Sequence, residues 1–131
     1  MKKTGILNRE IASVLARLGH TDTVIIADCG LPIPEETPCI DLSITLGTPG
    51  FVTVLKEIAA DMAIEEITFA KEIKTVNSTL HVHLTKDYSE IPINYLSHEE
   101  LKGKVKDAKA VIRTGEATPY ANAILQAGVI F

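Results

Sequence analysis

Apolar residues along this chain alternate between helical and extended spacing. After Asn8, residues Ile11, Val14, Leu15 and Leu18 recur on one helix face, with Asn8 placed to cap the helix and Gly19 to stop it. Thr23-Val24-Ile25-Ile26-Ala27-Asp28 then predicts a buried strand over 23–28. Pro32, Pro34 and Pro38 stiffen the following loop, and Cys39-Ile40-Asp41-Leu42 reads as a second, short strand. Thr48-Pro49-Gly50 opens a helix with Pro49 in its first turn and Phe51, Leu55, Ile58 and Met62 on its apolar face. Residues 65–70 predict a strand. Residues 74–90 carry two patterns at once: Val76, Leu80 and Leu84 give a helix face, while Thr79 to Thr85 alternates as a strand does. Ile91 to Leu96 reads as extended. Ser97-His98-Glu99-Glu100 is a capping box that starts a short helix through about Val105. Ala110-Val111-Ile112 and Ala123 to Phe131 complete the strands. Strands alternating with helices predict an α/β fold: a single three-layer α/β/α domain over 1–131, with a mostly parallel, mixed sheet.

Composition narrows the function classes. Apolar residues make up 46% of 131 and mean hydropathy is +0.18. No apolar run approaches the ~20 residues of a membrane helix, so the surplus is expected between subunits. Net charge is −4, with no basic block and only three Tyr, three Phe and no Trp, which speaks against a nucleic-acid partner. Met1-Lys2-Lys3 leads into no signal-peptide core, so a cytoplasmic location is expected. Cys29 and Cys39 lack Cys-x-x-Cys spacing and are expected to be reduced.

In an α/β sheet, sites gather beyond the carboxyl ends of strands. Asp28 and the loop 113–122 are predicted there. His20 lies just past a helix C-terminus, where the dipole favours imidazolium, and His98 at a helix N-terminus, where it favours the neutral ring. Such opposed environments suit acid–base work, although both can equally be surface helix-end histidines. Lys102 follows His98 by four residues on the same helix face. Asp28 can orient His20, accept a substrate hydroxyl, or cap the Gly30-Leu31-Pro32 turn. Tyr120 and Asn122, two apart, share a face if extended, which suits gripping a polyol, with Asp28 across from them. The alternative is a satisfied edge pair. Cys29 is a conceivable nucleophile with His20 as its activator, but a small buried thiol is the plainer reading. His81-x-His83 would share a face, and hold a metal, only in a strand. With no third ligand evident and no Gly-x-Gly-x-x-Gly, neither a metal nor any other cofactor is expected.

Leu18-Gly19-His20-Thr21-Asp22, Asp28-Cys29-Gly30-Leu31-Pro32-Ile33-Pro34, Ile112-Arg113-Thr114-Gly115-Glu116 and Pro119-Tyr120-Ala121-Asn122, in that order, resemble the ribose pyranase and fucose mutarotase family from end to end. Thr21, the Gly-Leu-Pro-Ile-Pro run and Ala121 fit the ribose branch. Cys29 stands where that branch usually has Ala, and residues 72–90 match no pattern of the family. The resemblance implies interconversion of pyranose and furanose forms of D-ribose by a ring-shaped decamer with sites between neighbouring subunits. It implies His20 as the catalytic acid and Asp28, His98, Tyr120 and Asn122 as sugar contacts. Lys102 carries over through a helix of less distinctive sequence. Two other classes stay open: a sugar-binding accessory protein of a ribose uptake system, and a Cys29 hydrolase.

Overall fold

β1 (Thr23–Ala27) lies inside a six-stranded sheet, and its residues Val24 to Ala27 are fully buried, as in a strand covered on both faces. The structure is a computed structural model describing residues Met1–Phe131. β1 pairs in parallel with β5 (Ala110–Arg113) and antiparallel with β6 (Ala123–Ala127). β2 (Cys39–Asp41) adds in parallel to β5. Beyond β6, β3 (Ile64–Ala70) lies antiparallel to it, and β4 (Ile93–Leu96) parallel to β3. The order is β2-β5-β1-β6-β3-β4. Only β6 runs against the rest, so the sheet is mixed and mostly parallel, as the alternation of elements predicts.

Helices cover both faces. Val24 and Ile26 point to one side, against Ile11 of α1 (Arg9–Arg17), Phe51, Leu55 and Ile58 of α2 (Phe51–Asp61), Ile73 of α3 (Ile73–Val76) and Leu84 of α4 (Ser78–Asp87). Ile25 and Ala27 point to the other, against Leu101 of α5 (His98–Lys104) and Val105 in the 3-10 turn that follows. Each such buried aliphatic side chain stabilises the fold by ~1.5–3 kcal/mol.

The caps read from sequence are formed. The Asn8 side chain accepts from the Ile11 amide, and Ser97 and Glu100 form the reciprocal capping box. Two expectations need correction, and the open choice at 74–90 falls to helix. Pro49 lies outside α2, because Gly50 is its N-cap, and the Pro49 carbonyl instead accepts from Gly115. Residues 74–90 are helical, not alternating strand, with Asn77 separating α3 from α4. The final strand stops at Ala127, because β1 and β3, its partners, begin at Thr23 and Ile64. Past that level no strand is left to pair with, and Val129, Ile130 and Phe131 are exposed.

Gly115 fixes the loop after β5. A Cβ there would come within 2.6–2.7 Å of backbone atoms of Thr45 and Thr48, which cannot rotate away. Next to it, Glu116 Oε1 accepts from the Phe51 amide and so supplies the side-chain cap that Gly50 lacks. Gly115→Ala is expected to lower unfolding free energy by roughly 1–3 kcal/mol, read as a reduced midpoint in urea denaturation.

Candidate active site

Topology sorts the candidate residues onto two edges of the sheet. Every strand except β6 ends at one edge, the carboxyl edge, and Asp28 follows β1 there. His98 follows β4 there, and Asn122 immediately precedes the reversed β6. Asp28 and Asn122 meet. The Asn122 amide nitrogen donates to Asp28 Oδ2 at 2.9 Å, and the Asp28 backbone N–H donates to Asn122 Oδ1 at 2.9 Å. The Gly30 amide donates to Asp28 Oδ1 at 2.9 Å, which is the turn-capping role open to Asp28 from sequence. Both carboxylate oxygens therefore have defined donors, and the group is presented in one orientation.

Asn122 is fully buried, so its amide is committed to Asp28. This corrects the expectation of an extended Tyr120-Ala121-Asn122 segment with both side chains on one open face. Tyr120 instead has φ +58°, a left-handed conformation that costs a non-glycine residue of order 1–2 kcal/mol. The loop is held to that shape from outside: Asn77 donates to Thr118 Oγ1 and to the Pro119 carbonyl, both at 2.9 Å. Strained backbone held by such contacts is a frequent feature of functional sites.

The turn aims the Tyr120 ring at His98, edge to face with centroids 5.0 Å apart. His98 opens α5, and its backbone N–H donates to the Glu72 carboxylate at 2.9 and 3.2 Å. Its Nδ1 is buried with no partner in the chain. Lys102, one turn further on, pairs with Glu99 at 2.6 Å. The carboxyl edge thus gathers a carboxylate, an amide, a phenol and an imidazole, with a lysine on the same helix.

His20 is elsewhere. It precedes β1 and lies at the amino edge. The four steps between the five residues of β1, at about 3.3 Å each, alone put about 13 Å between the edges. Within one chain Asp28 therefore cannot orient His20, which corrects that option. Within one chain the separation equally keeps His20 from activating Cys29.

The carboxylate beside His20 belongs to Glu65, whose oxygens lie 3.1 and 3.2 Å from Nε2. Gln126 of β6 donates to Glu65 Oε2 at 3.0 Å. Hydrogen bonds from Gln126 and then His20 hold the Glu65 carboxyl below the usual carboxylate range. His20 lines a cavity of about 320 Å³ with Leu15, Leu18, Met62 and the tail to Phe131. Sequence reasoning missed Glu65. Its signal was Ile64-Glu65-Glu66-Ile67, where two consecutive polar residues break the period of two in an otherwise apolar strand.

The His81-x-His83 pair is on α4, so its rings diverge. His81 Nε2 lies 2.6 Å from the Tyr95 hydroxyl, and burial followed by the Lys74 charge pushes His81 below the usual imidazole range. His83 pairs with Asp87 at 3.0 Å.

The fold and this cluster define a mixed α/β protein with groups beyond its strand ends that can donate to and accept from hydroxyls. The chain belongs to the RbsD / FucU transport protein family, whose model matches residues 1–130. It is 60% identical over 131 residues to the D-ribose pyranase of Bacillus pumilus (strain SAFR-032) and 59% identical to that of Shouchella clausii (strain KSM-K16), covering 100% of each chain. It superposes with TM-score 0.97 on Bacillus subtilis RbsD complexed with D-ribose, at 55% identity and full coverage of both chains.

Proposed function

We propose that this chain is an isomerase that interconverts the pyranose and furanose forms of D-ribose. The observation that carries the reading is the Asp28–Asn122 pair beside the Tyr120–His98 stack, in a chain 59–60% identical from end to end to D-ribose pyranases. Opening a cyclic hemiacetal needs one proton delivered to the ring oxygen and one removed from the anomeric hydroxyl. Closure through a different hydroxyl repeats the exchange. An imidazole gives and takes protons near neutral pH, and its free nitrogen suffices for both steps. His20 is the proton donor and acceptor in this reading. Asp28 accepts sugar hydroxyls, Asn122 keeps its carboxylate aimed, Tyr120 and His98 supply a ring face and polar atoms, and Lys102 adds a donor.

His20 and this cluster lie on opposite edges of one copy, so a complete site takes His20 from one copy and the cluster from another. That geometry supports sites between neighbouring subunits, and the closed ring implied by the resemblance is a decamer. No helix is long and apolar enough to cross a membrane, and we assign the protein to the cytoplasm, acting on ribose after uptake.

Saturation-transfer NMR of ribose, with and without protein, tests the activity. Faster magnetisation exchange between pyranose and furanose signals is expected, and an unchanged rate at saturating sugar would refute the reading. The family's description as transport proteins favours a second reading, a sugar-binding accessory protein without turnover. It gives binding without exchange in the same experiment. Exchange activity is also expected to survive extensive dialysis against a strong chelator. Loss that added zinc or manganese restores would make the chemistry metal-dependent.

A further inference from the structure

We infer that Glu65 is a positioning residue for His20: it holds the imidazole with Nε2 protonated and so makes Nδ1 the nitrogen that exchanges protons with the sugar. The inference deepens the proposed function and rests on its assignment of His20.

The local fold is built to deliver this carboxylate. Ile64 pairs with Ala127 and Glu66 with Gln126, leaving Glu65 as the extra residue of a β-bulge between them. A bulge re-aims the side chain of its unpaired residue, and Glu65 points to the neighbouring turn rather than along the pleat. Gln126 donates to Oε2 and fixes the carboxylate from β6. Gly128 leaves it room, since a Cβ there would come 3.3 Å from the Glu65 Cβ. The His20 turn is equally constrained. Asp22 Oδ2 accepts from the Gly19 amide, Thr21 holds φ +72°, and backbone bonds join Thr21 and Asp22 to Ala127.

The chemistry follows from valence. A carboxylate only accepts, so the nitrogen facing it must carry a proton in both the neutral and the charged ring. Nε2–H is therefore retained throughout. In the neutral ring Nδ1 has the lone pair and acts as base, and in the charged ring Nδ1–H acts as acid. The other ionisable groups on the elements around His20 are Asp22, which pairs with Lys109, Arg17 at the end of α1, and Asp61 along the cavity. None of these is recorded in hydrogen-bond contact with the ring, whereas Glu65 is.

The test uses full-length protein carrying isotope-labelled histidine, with His20 nitrogen shifts followed against pH and exchange kinetics followed against ribose. The wild type is expected to show the Nε2-protonated neutral tautomer. In Glu65→Gln the Nε2-protonated tautomer is expected to lose its dominance, because the side-chain amide can donate to Nε2 as well as accept from it. It should lower kcat about ten- to hundredfold and leave KM within about threefold. A neutral wild-type ring protonated at Nδ1 overturns the inference without any variant. So does a Glu65→Gln protein with an unchanged tautomer and wild-type kcat, or one in which only KM rises. The arm that isolates the underlying reading is His20→Ala. An active His20→Ala protein removes the His20 assignment itself, whereas an inactive one beside a wild-type Glu65→Gln removes the role of Glu65 alone.

Discussion

Replacing His20 by Ala is expected to remove two to four powers of ten of ribose ring-form exchange, the scale of a well-placed general acid. The fold should survive. His20 is half-exposed in a turn, its side chain bonds only to the exposed Glu65, and the turn is held by backbone and Asp22 contacts that Ala leaves intact. Sugar affinity should change much less than rate, because the gripping residues are on the opposite edge. Exchange NMR gives the rate, titration calorimetry the affinity and circular dichroism the fold. A folded His20→Ala protein with wild-type exchange would refute the acid–base assignment.

The second large effect concerns Asn122. With its amide removed, the Asp28 carboxylate and the Asp28 N–H each lose a partner, in a pocket closed to water on the Asn122 side. Orphaning buried polar groups costs about 1–3 kcal/mol, so Asn122→Ala should lose both stability and ribose affinity, the latter by about tenfold or more. Tyr120→Phe should lose less, because the ring contact with His98 is retained. Cys29→Ala should be nearly silent, since it is the Cys29 backbone, not the thiol, that bonds Arg113 and Glu116.

The same variants report on assembly. His20→Ala and Asn122→Ala proteins, each impaired alone, should regain exchange when unfolded and refolded together. Some sites then combine an intact His20 from one chain with an intact cluster from another, roughly a quarter of them under random mixing. Activity no higher than the sum of the separate proteins would show that each site is built within one chain.

Much of this fold was legible because its signals are local. Asn8 and the Ser97–Glu100 box announce helix starts by side-chain chemistry alone, and the run Val24 to Ala27 could only be a covered strand. The Arg113–Asn122 segment was readable as a site by its resemblance and its place beyond strand ends. What stayed hidden depends on non-local pairing. The end of β6 is set by where β1 and β3 begin, which no feature of Gly128 to Phe131 encodes. Helix won over alternation in 74–90 because Ile73 and Leu84 are drawn to the same core, while His81 and Thr85 find partners in Tyr95 and the His81 carbonyl. Tyr120 and Asn122 have suitable spacing, but the left-handed turn at Tyr120 defeats the period-two argument. Glu65 was overlooked because a bulge looks, in sequence, like a flaw in a strand.

The reversed strand β6 has one further consequence. Like β1, which runs between His20 and Asp28, it carries site residues near both ends, Asn122 just before it and Gln126 within it, and it is clasped on both sides by paired neighbours. Its length is therefore a ruler for the gap, within one copy, between the proposed catalytic base and the proposed sugar grip. The pleat graduates that ruler in steps of two: a single inserted residue would turn Leu125 and its core neighbours outward, and a pair would widen the gap by about 7 Å. Between those marks only a bulge such as the one at Glu65 gives an intermediate spacing, so divergence in this protein reshapes loops at either edge more readily than the distance between them.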